Sequence, residues 1–363
     1  MNSQPSSPAP TVLLAGGGSA GHVSPMLATA DALHRLHPQL RILCLGTADG
    51  LEADLVPAAG YELLTIDKVP FPRRVSAAAA RFPLRFTAQL RAVRRLLREH
   101  RVDVVAGFGG YVCPPAYLAA RSARIPIVIH EANKRPGLAN RLGARVAARV
   151  ATAFDGSSLT GAERVGMPMR HAIAAFDRAA LRTEALAEFG LLPERPTVLV
   201  TGGSLGAQRI NETIRDTAQE FADAGAQLLH ITGRGKGFPL EASHYHQVEY
   251  VRAMELAYAA ADLAITRSGA GTVCEVTAVG LPAVFVPLSI GNGEQALNGA
   301  DVVAAGGALM IEDAAFTPEA VRTRVLPLIH DGAARAEMSR AAARFGITDA
   351  AERLAAMIHQ EIR

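Results

Sequence analysis

Gly16-Gly17-Gly18-Ser19-Ala20-Gly21-His22, directly after the apolar run Thr11–Ala15, decides the fold. A strand that ends in a glycine turn and opens a helix aims backbone N–H groups and the positive end of the helix dipole at an anion. A second such turn, Gly202-Gly203-Ser204-Leu205-Gly206-Ala207, follows the apolar run Thr197–Thr201. Each turn starts its own alternation of short apolar runs and helical stretches. The pattern predicts an α/β chain of two Rossmann-like domains whose parallel sheets face a central cleft.

Outward from the first turn, strands are expected at Arg41–Leu45, Glu62–Ile66, Asp103–Gly107, Pro126–Ile129 and Arg149–Ala153. Around Gly161–Arg170 the pattern loosens into a connection carrying Gly166 and Pro168. The second half continues with Gln227–Thr232, Val248–Val251, Leu263–Thr266, Ala283–Val286 and Ala308–Ile311. The boundaries that follow are a disordered tail at 1–10, domains at 11–168 and 169–346, and a closing helix at 347–363. That helix places Ala351, Leu354, Ile358 and Ile362 on one face.

With 37 basic and 34 acidic residues and no Trp, the chain lacks both the charge and the stacking platforms of a nucleic-acid binder. Cys44, Cys113 and Cys274 have no metal-ligand spacing and read as reduced thiols of a cytoplasmic protein. The apolar stretches are strand-sized, and Met1–Pro10 has no apolar signal region, so any membrane contact is expected to be peripheral. His244-x-His246 reads as part of a polar surface loop. Asp-x-Asp does not occur, which argues against a metal-held nucleotide diphosphate; no metal and no cofactor are expected.

Gly16, Gly18 and Gly21 satisfy the dinucleotide fingerprint. A dehydrogenase would want an acid at the end of the second strand, but that strand ends Cys44-Leu45-Gly46-Thr47 and Asp49 comes late. His22 reads either as a base beside a bound anion or sugar hydroxyl, or as a packing residue at a helix start. Gly107-Phe108-Gly109-Gly110-Tyr111-Val112-Cys113-Pro114-Pro115 is either a tight bend or a second anion cradle. Two cradles on one sheet edge suit a diphosphate that is not a nucleotide. His130-Glu131-Ala132-Asn133 lies at the carboxyl end of a strand, where open α/β sheets place ligands, or is a solvated loop.

In the second half, Arg267-Ser268-Gly269-Ala270-Gly271-Thr272 turns into a helix carrying Glu275. A carboxylate there is either a helix-start acid or the acceptor of both ribose hydroxyls, through charge-assisted bonds. Gly291-Asn292-Gly293-Glu294-Gln295 leads into a helix with Asn298. Without a metal, a leaving diphosphate needs helix N-termini, Ser204 and Arg170. Between Lys68 and Arg101, basic residues crowd against Glu99 as the sole acid, and Phe82, Phe86, Leu90, Val93 and Leu97 form a helical stripe. That stripe is either core or, with Phe71, Arg73 and Arg74, a surface for anionic headgroups.

Five of these motifs occur in one order: Gly16–His22, Phe108–Pro115, His130–Asn133, Gly202–Ala207 and Arg267–Asn298. In that order they resemble the MurG family, and the likeness covers nearly the whole chain after the tail. The resemblance implies a GT-B fold whose C-terminal helix returns to the first domain. It also implies inverting transfer of N-acetylglucosamine from UDP-N-acetylglucosamine to the C4 hydroxyl of undecaprenyl-diphosphate-linked N-acetylmuramyl pentapeptide (lipid I). The enzyme would sit at the inner face of the bacterial cytoplasmic membrane, touching it through Lys68–Arg101.

Carried over by motif, the resemblance puts Ser204 and Arg170 on the UDP diphosphate, Tyr250 and Met254 at the uracil, and Glu275 on the ribose. Ala270, Gln295 and Asn298 meet the donor sugar; Ser19, Ala20, Gly21 and Asn133 reach the donor from the first domain. Asn133 also lines the acceptor side with His22 and Tyr111, while Gly17, Gly18, Gly109, Gly110 and Tyr111 cradle the acceptor diphosphate. His22 is the expected base, with Glu131 the weaker candidate. The chain departs from the family pattern at Ser19-Ala20, Cys113-Pro114, Leu205 and Glu294. Other readings are a UDP-N-acetylglucosamine 2-epimerase, a glycolipid galactosyltransferase, an NAD-dependent oxidoreductase and a non-catalytic nucleotide-sugar sensor.

Overall fold

The computed structural model describes residues 9–72, 77–203, 206–288 and 293–362. The candidates Ser204, Leu205, Arg73, Arg74, Gly291 and Asn292 lie outside those residues. The chain separates into two compact units, Met1–Arg170 with Asp349–Arg363, and His171–Thr348. Each is a Rossmann-like parallel sheet flanked by helices.

The first unit is built from β1 (Thr11–Gly16), β2 (Arg41–Gly46), β3 (Glu62–Thr65), β4 (Val102–Gly109), β5 (Ile127–Glu131), β6 (Arg149–Thr152) and β7 (Ala162–Arg164). Among the described residues the strand order is β3-β2-β1-β4-β5-β6-β7, parallel throughout. Its helices are α1 (Ala20–Leu36), α2 (Glu52–Ala58), α3 (Ala77–Glu99), α4 (Cys113–Ala123) and α5 (Leu138–Gly143). Because side chains alternate along a strand, β1 feeds two cores. Val12 and Leu14 pack with Met26 and Leu33 of α1 and with Leu354 and Ile358 of the terminal helix Ala350–Gln360. Leu13 and Ala15 pack with Val93 and Leu97 of α3 and with Tyr117 of α4.

The second unit carries α6 (His171–Ala174), α7 (Arg178–Glu188), β8 (Thr197–Thr201), α8 (Gln208–Asp223), β9 (Gln227–Ile231), β10 (Tyr245–Val248), α9 (Met254–Ala260), β11 (Leu263–Thr266), α10 (Ala270–Ala278), β12 (Ala283–Phe285), α11 (Glu294–Ala304) and β13 (Ala308–Met310). Its described sheet runs β10-β9-β8-β11-β12-β13, again parallel. In both sheets the order reverses beside the first strand, between β1 and β4 and between β8 and β11. Adjacent loops diverge at such a switch point and open a crevice outside the carboxyl ends of the strands. The glycine turns sit there in each unit.

Two sequence expectations need correction. The strand expected at Val248–Val251 lies at Tyr245–Val248, and His246, read as loop, is inside it. Its register is set by β9: Leu228 N–H donates to the His244 carbonyl and Thr232 N–H to that of Val248. The connection read at Gly161–Arg170 opens with the edge strand β7. Ala162 and Arg164 are only half-buried and Glu163 is exposed, so no apolar run marked it.

Candidate active site

The turn between β1 and α1 comes within contact distance of the turn after β4. A side chain at Gly110 would strike the Gly17 carbonyl, and Gly110 has a φ of +90°, so glycine alone fits there. Gly109, with φ +107°, clears the imidazole of His22: a Cβ there would stand 2.8 Å from Nε2. The two glycine loops therefore hold His22 between them as well as lining the sheet edge.

His22 is half-buried in the first turn of α1. Its Nδ1 lies 3.0 Å from the Gly17 carbonyl oxygen and 3.1 Å from Ser19 Oγ. A carbonyl only accepts, so the proton belongs on Nδ1 and Nε2 keeps its lone pair. That tautomer is the one a general base needs.

The glycine amides are less available than their number suggests. Gly18 N–H donates to Glu52 Oε2 at 2.9 Å, and Gly109 N–H points to Cys113 Sγ at 3.2 Å. Those two amides, expected to hold an acceptor diphosphate, are used internally. Cys113 Sγ also lies 3.2 Å from the Ala15 carbonyl and pins the end of β1 to the second loop. Burial pushes its thiol up to about 11, so it stays protonated and unreactive.

Glu52 was missed in the sequence. It follows β2 by six positions, is fully buried, and its Oε1 takes Thr47 N–H at 2.9 Å and Thr47 Oγ1–H at 2.8 Å. Burial pushes this carboxyl upward, but the hydrogen bonds from Gly18, its own backbone and Thr47 outweigh that and hold it below the usual carboxylate value. An acid thus does follow the second strand, but its oxygens face the protein and offer nothing to a ribose. A dinucleotide reading of this unit fails on that point.

Glu131 is corrected in role. Its buried carboxylate accepts Asn133 N–H at 2.9 Å, Gly137 N–H at 3.0 Å and Asn140 Nδ2–H at 3.0 Å. Asn140 in turn accepts from Tyr117 Oη at 2.8 Å. So bound, Glu131 shapes the loop that carries Asn133 and is not placed to take a substrate proton. The neighbouring His130 donates from Nε2 to the Gly166 carbonyl at 2.9 Å, and burial pushes its pKa down to about 4, keeping the ring neutral.

In the second unit, Gly203 N–H donates to Thr201 Oγ1 at 3.2 Å and shapes the start of the turn before α8. A side chain at Gly206 would strike the Thr232 carbonyl, so this turn also depends on close backbone approach. Behind it, His230 joins Asn211 of α8 (3.0 Å) to Tyr245 of β10 (2.8 Å); burial holds its pKa down to about 4. At the neighbouring turn, Gly269 caps α10, whose N-terminus begins at Ala270.

Glu275, one turn into α10, accepts a 2.6 Å hydrogen bond on Oε2 from Tyr258 of α9, which is buried. Tyr258 was not legible as a functional residue, since it lies in an Ala-rich helix with no motif. Tyr250 stands exposed with Arg234 4.5 Å above its ring, and Met254 begins α9 nearby in sequence. Gln295 Oε1 accepts from Leu288 N–H at 2.9 Å. Asn298, expected at a sugar, is buried on α11 with its amide 3.5 Å from the Ser268 carbonyl, so it braces the turn before α10. Arg170, expected beside the diphosphate, falls in the first unit and is exposed. No cluster of metal-ligating side chains occurs among the described residues.

Comparison with known proteins agrees with the two-domain fold. The N-terminal domain of glycosyltransferase family 28 matches residues 12–152, and the C-terminal domain of that family matches residues 197–354. The UDP-N-acetylglucosamine–N-acetylmuramyl-(pentapeptide) pyrophosphoryl-undecaprenol N-acetylglucosamine transferase of Paenarthrobacter aurescens is 55% identical over 358 residues, 97% of this chain and 96% of the relative. The enzyme of the same name from Streptomyces coelicolor is 50% identical, over 97% and 98% of the two chains. The crystal structure of Acinetobacter baumannii MurG aligns with a TM-score of 0.79 at 28% identity, over 97% of this chain and 99% of that one. With both domains present in chain order and identity of half or more along nearly its full length, the chain belongs to glycosyltransferase family 28 and, within it, to the MurG family.

Proposed function

We propose that the chain transfers N-acetylglucosamine from UDP-N-acetylglucosamine to the C4 hydroxyl of undecaprenyl-diphosphate-linked N-acetylmuramyl pentapeptide, with inversion and without a metal. The observation that carries the chemistry is His22, whose Nδ1 is spent on the Gly17 carbonyl so that Nε2 is left basic at the sheet switch point. In the reaction Nε2 takes the hydroxyl proton as the oxygen bonds to the anomeric carbon. The bond from that carbon to the phosphate oxygen breaks, and its electron pair leaves with UDP. Glu275, oriented by Tyr258, receives the ribose hydroxyls. Ser204 and Arg170 serve the diphosphate, Ala270 at the start of α10 with Gln295 and Asn298 the donor sugar, and Tyr250 and Met254 the uracil. Ser19, Ala20, Gly21 and Asn133 complete the donor contacts, with Gly17, Gly110 and Tyr111 on the acceptor side.

Purified protein given UDP-N-acetylglucosamine and a short-chain analogue of the lipid acceptor in EDTA is expected to release UDP and form the disaccharide. Conversion of UDP-N-acetylglucosamine without an acceptor would instead mark an epimerase. No turnover with this pair, alongside turnover with another sugar nucleotide, would move the donor assignment.

We further propose that the Lys68–Arg101 region rests on an anionic bilayer surface. No helix among the described residues is long and apolar enough to cross a membrane. On α3, Val93 and Leu97 are core, but Leu84 is 77% exposed and Phe71, in the preceding segment, is 58% exposed. Phe71 meets Phe82 edge to face with centroids 5.2 Å apart, and Phe82 stacks on Phe86 at 5.5 Å. Arg81 and Arg85 adjoin them in sequence, and Arg91, Arg94, Arg95 and Arg98 are exposed further along α3. Each basic side chain near such a surface contributes about 1 kcal/mol. Replacing Phe71 and Leu84 together by Ser is expected to weaken binding to anionic vesicles about tenfold, half or less of the transfer energy of two buried apolar side chains. Undiminished co-sedimentation of that variant would defeat the surface assignment.

A further inference from the structure

Gly17 C=O and Gly18 N–H belong to one peptide group, and the two ends of that group are engaged by two different side chains. His22 Nδ1 donates to its oxygen at 3.0 Å, and its N–H donates to Glu52 Oε2 at 2.9 Å. No cis peptide bond occurs among the described residues, so the carbonyl and the N–H point to opposite sides of the peptide. The order in space is therefore carboxylate, peptide, imidazole, with Nε2 at the far end.

We propose that Glu52 is a positioning residue for catalysis, acting on His22 through the Gly17–Gly18 peptide. The proposal rests on the reading of His22 as the base. A carboxylate that accepts the N–H of an amide draws electron density toward the carbonyl oxygen, making it a better acceptor; hydrogen bonds in series strengthen one another in this way. The Gly17 oxygen then holds the Nδ1 proton more firmly, which favours the tautomer with the lone pair on Nε2 before transfer and stabilises the imidazolium after it. A carboxylate touching a catalytic imidazole directly does the same two things. Here a rigid amide carries the effect across, because the loop places the carboxylate on the wrong side of the backbone to reach the ring.

Several features show that the arrangement is built. Glu52 is fully buried and its other oxygen is held by both donors of Thr47, so the carboxylate has no freedom to turn away. Side chains at Gly17, Gly46 or Gly50 would each strike the Glu52 carboxyl arm, so three glycines make room for it. A structural brace would not need its charge aimed at the one peptide that the imidazole also uses.

The experiment is Glu52→Gln, with Glu and Gln alike in shape. The amide presents one oxygen where the carboxylate had two, so either Gly18 or Thr47 faces an NH2 group. Expected are a kcat lowered about 10–100-fold, in the range for loss of an outer partner of a catalytic ligand, and a KM for UDP-N-acetylglucosamine changed by less than about twofold. The 15N resonances of His22 should show the Nδ1-protonated tautomer in the native protein and a mixture in the variant. Unchanged kcat and tautomer in a folded Glu52→Gln variant would overturn the relay. Should that variant fail to fold, the native 15N spectrum still decides, since a ring protonated on Nε2 at neutral pH excludes the relay. His22→Ala separates the two readings. If it is inactive while Glu52→Gln is normal, only the relay fails; if it is fully active, the base assignment itself is wrong.

Discussion

His22→Ala is expected to lower kcat about 10²–10⁴-fold, the usual worth of a positioned general base, while KM for UDP-N-acetylglucosamine stays near its native value. The reasoning is local. The imidazole hydrogen-bonds to the glycine-loop carbonyl at 3.0 Å and the Ser19 hydroxyl at 3.1 Å, and it is half-buried, so its removal leaves no large cavity. Stability should change little. The variant tests chemistry with small structural interference, and steady-state kinetics with a saturating acceptor analogue reads it directly. His22→Asn would keep an N–H donor for the Gly17 carbonyl yet supply no basic nitrogen, and should be as slow as the alanine variant. An active asparagine variant would mean that His22 shapes the loop and takes no proton.

Glu275→Ala is the second large expected effect, on donor binding. A charge-assisted hydrogen bond is worth roughly 1.5–3 kcal/mol, so losing two to a ribose raises the Kd for UDP by about 10²–10⁴-fold. The alanine variant also deprives the buried Tyr258 hydroxyl of its 2.6 Å acceptor, a stability loss of about 1–3 kcal/mol. Two companion variants separate these contributions. Glu275→Gln keeps an acceptor for Tyr258 and removes only the charge, so affinity should fall with melting temperature nearly unchanged. Tyr258→Phe keeps the carboxylate but frees its orientation, and should weaken UDP about three- to tenfold, consistent with the loss of one neutral-to-charged partner. Isothermal titration with UDP checks all three. Equal affinity in Glu275→Ala and the native protein would remove Glu275 from the nucleotide site.

The two kinds of site residue differ in how far they could be read in advance. Gly110 was legible as part of a glycine-rich turn, but the reason for it is the Gly17 carbonyl pressed against it from another loop. Asn298 was legible as a polar residue on the helix after a polar loop. Its burial at the Ser268 carbonyl depends on how α11 packs behind α10, which no local pattern encodes. Glu131 belonged to a conspicuous polar cluster, and only the positions of Gly137 and Asn140 show that its oxygens are occupied. Tyr258 and Glu52 gave no signal, one in an Ala-rich helix and the other after a non-repeating turn.

From the chain's letters alone come the two parallel-sheet units, the glycine turns at their switch points and the family to which the motifs belong. These are properties of neighbours in sequence: side-chain alternation, helix periodicity, and the backbone freedom of glycine where a strand becomes a helix. Tertiary structure alone decided which polar groups remain available for chemistry. Whether a donor or acceptor is already satisfied depends on partners brought together in space, as Glu52 meets Gly18 across 34 positions. A hydrogen bond acts only within about 3 Å, a distance that folding sets.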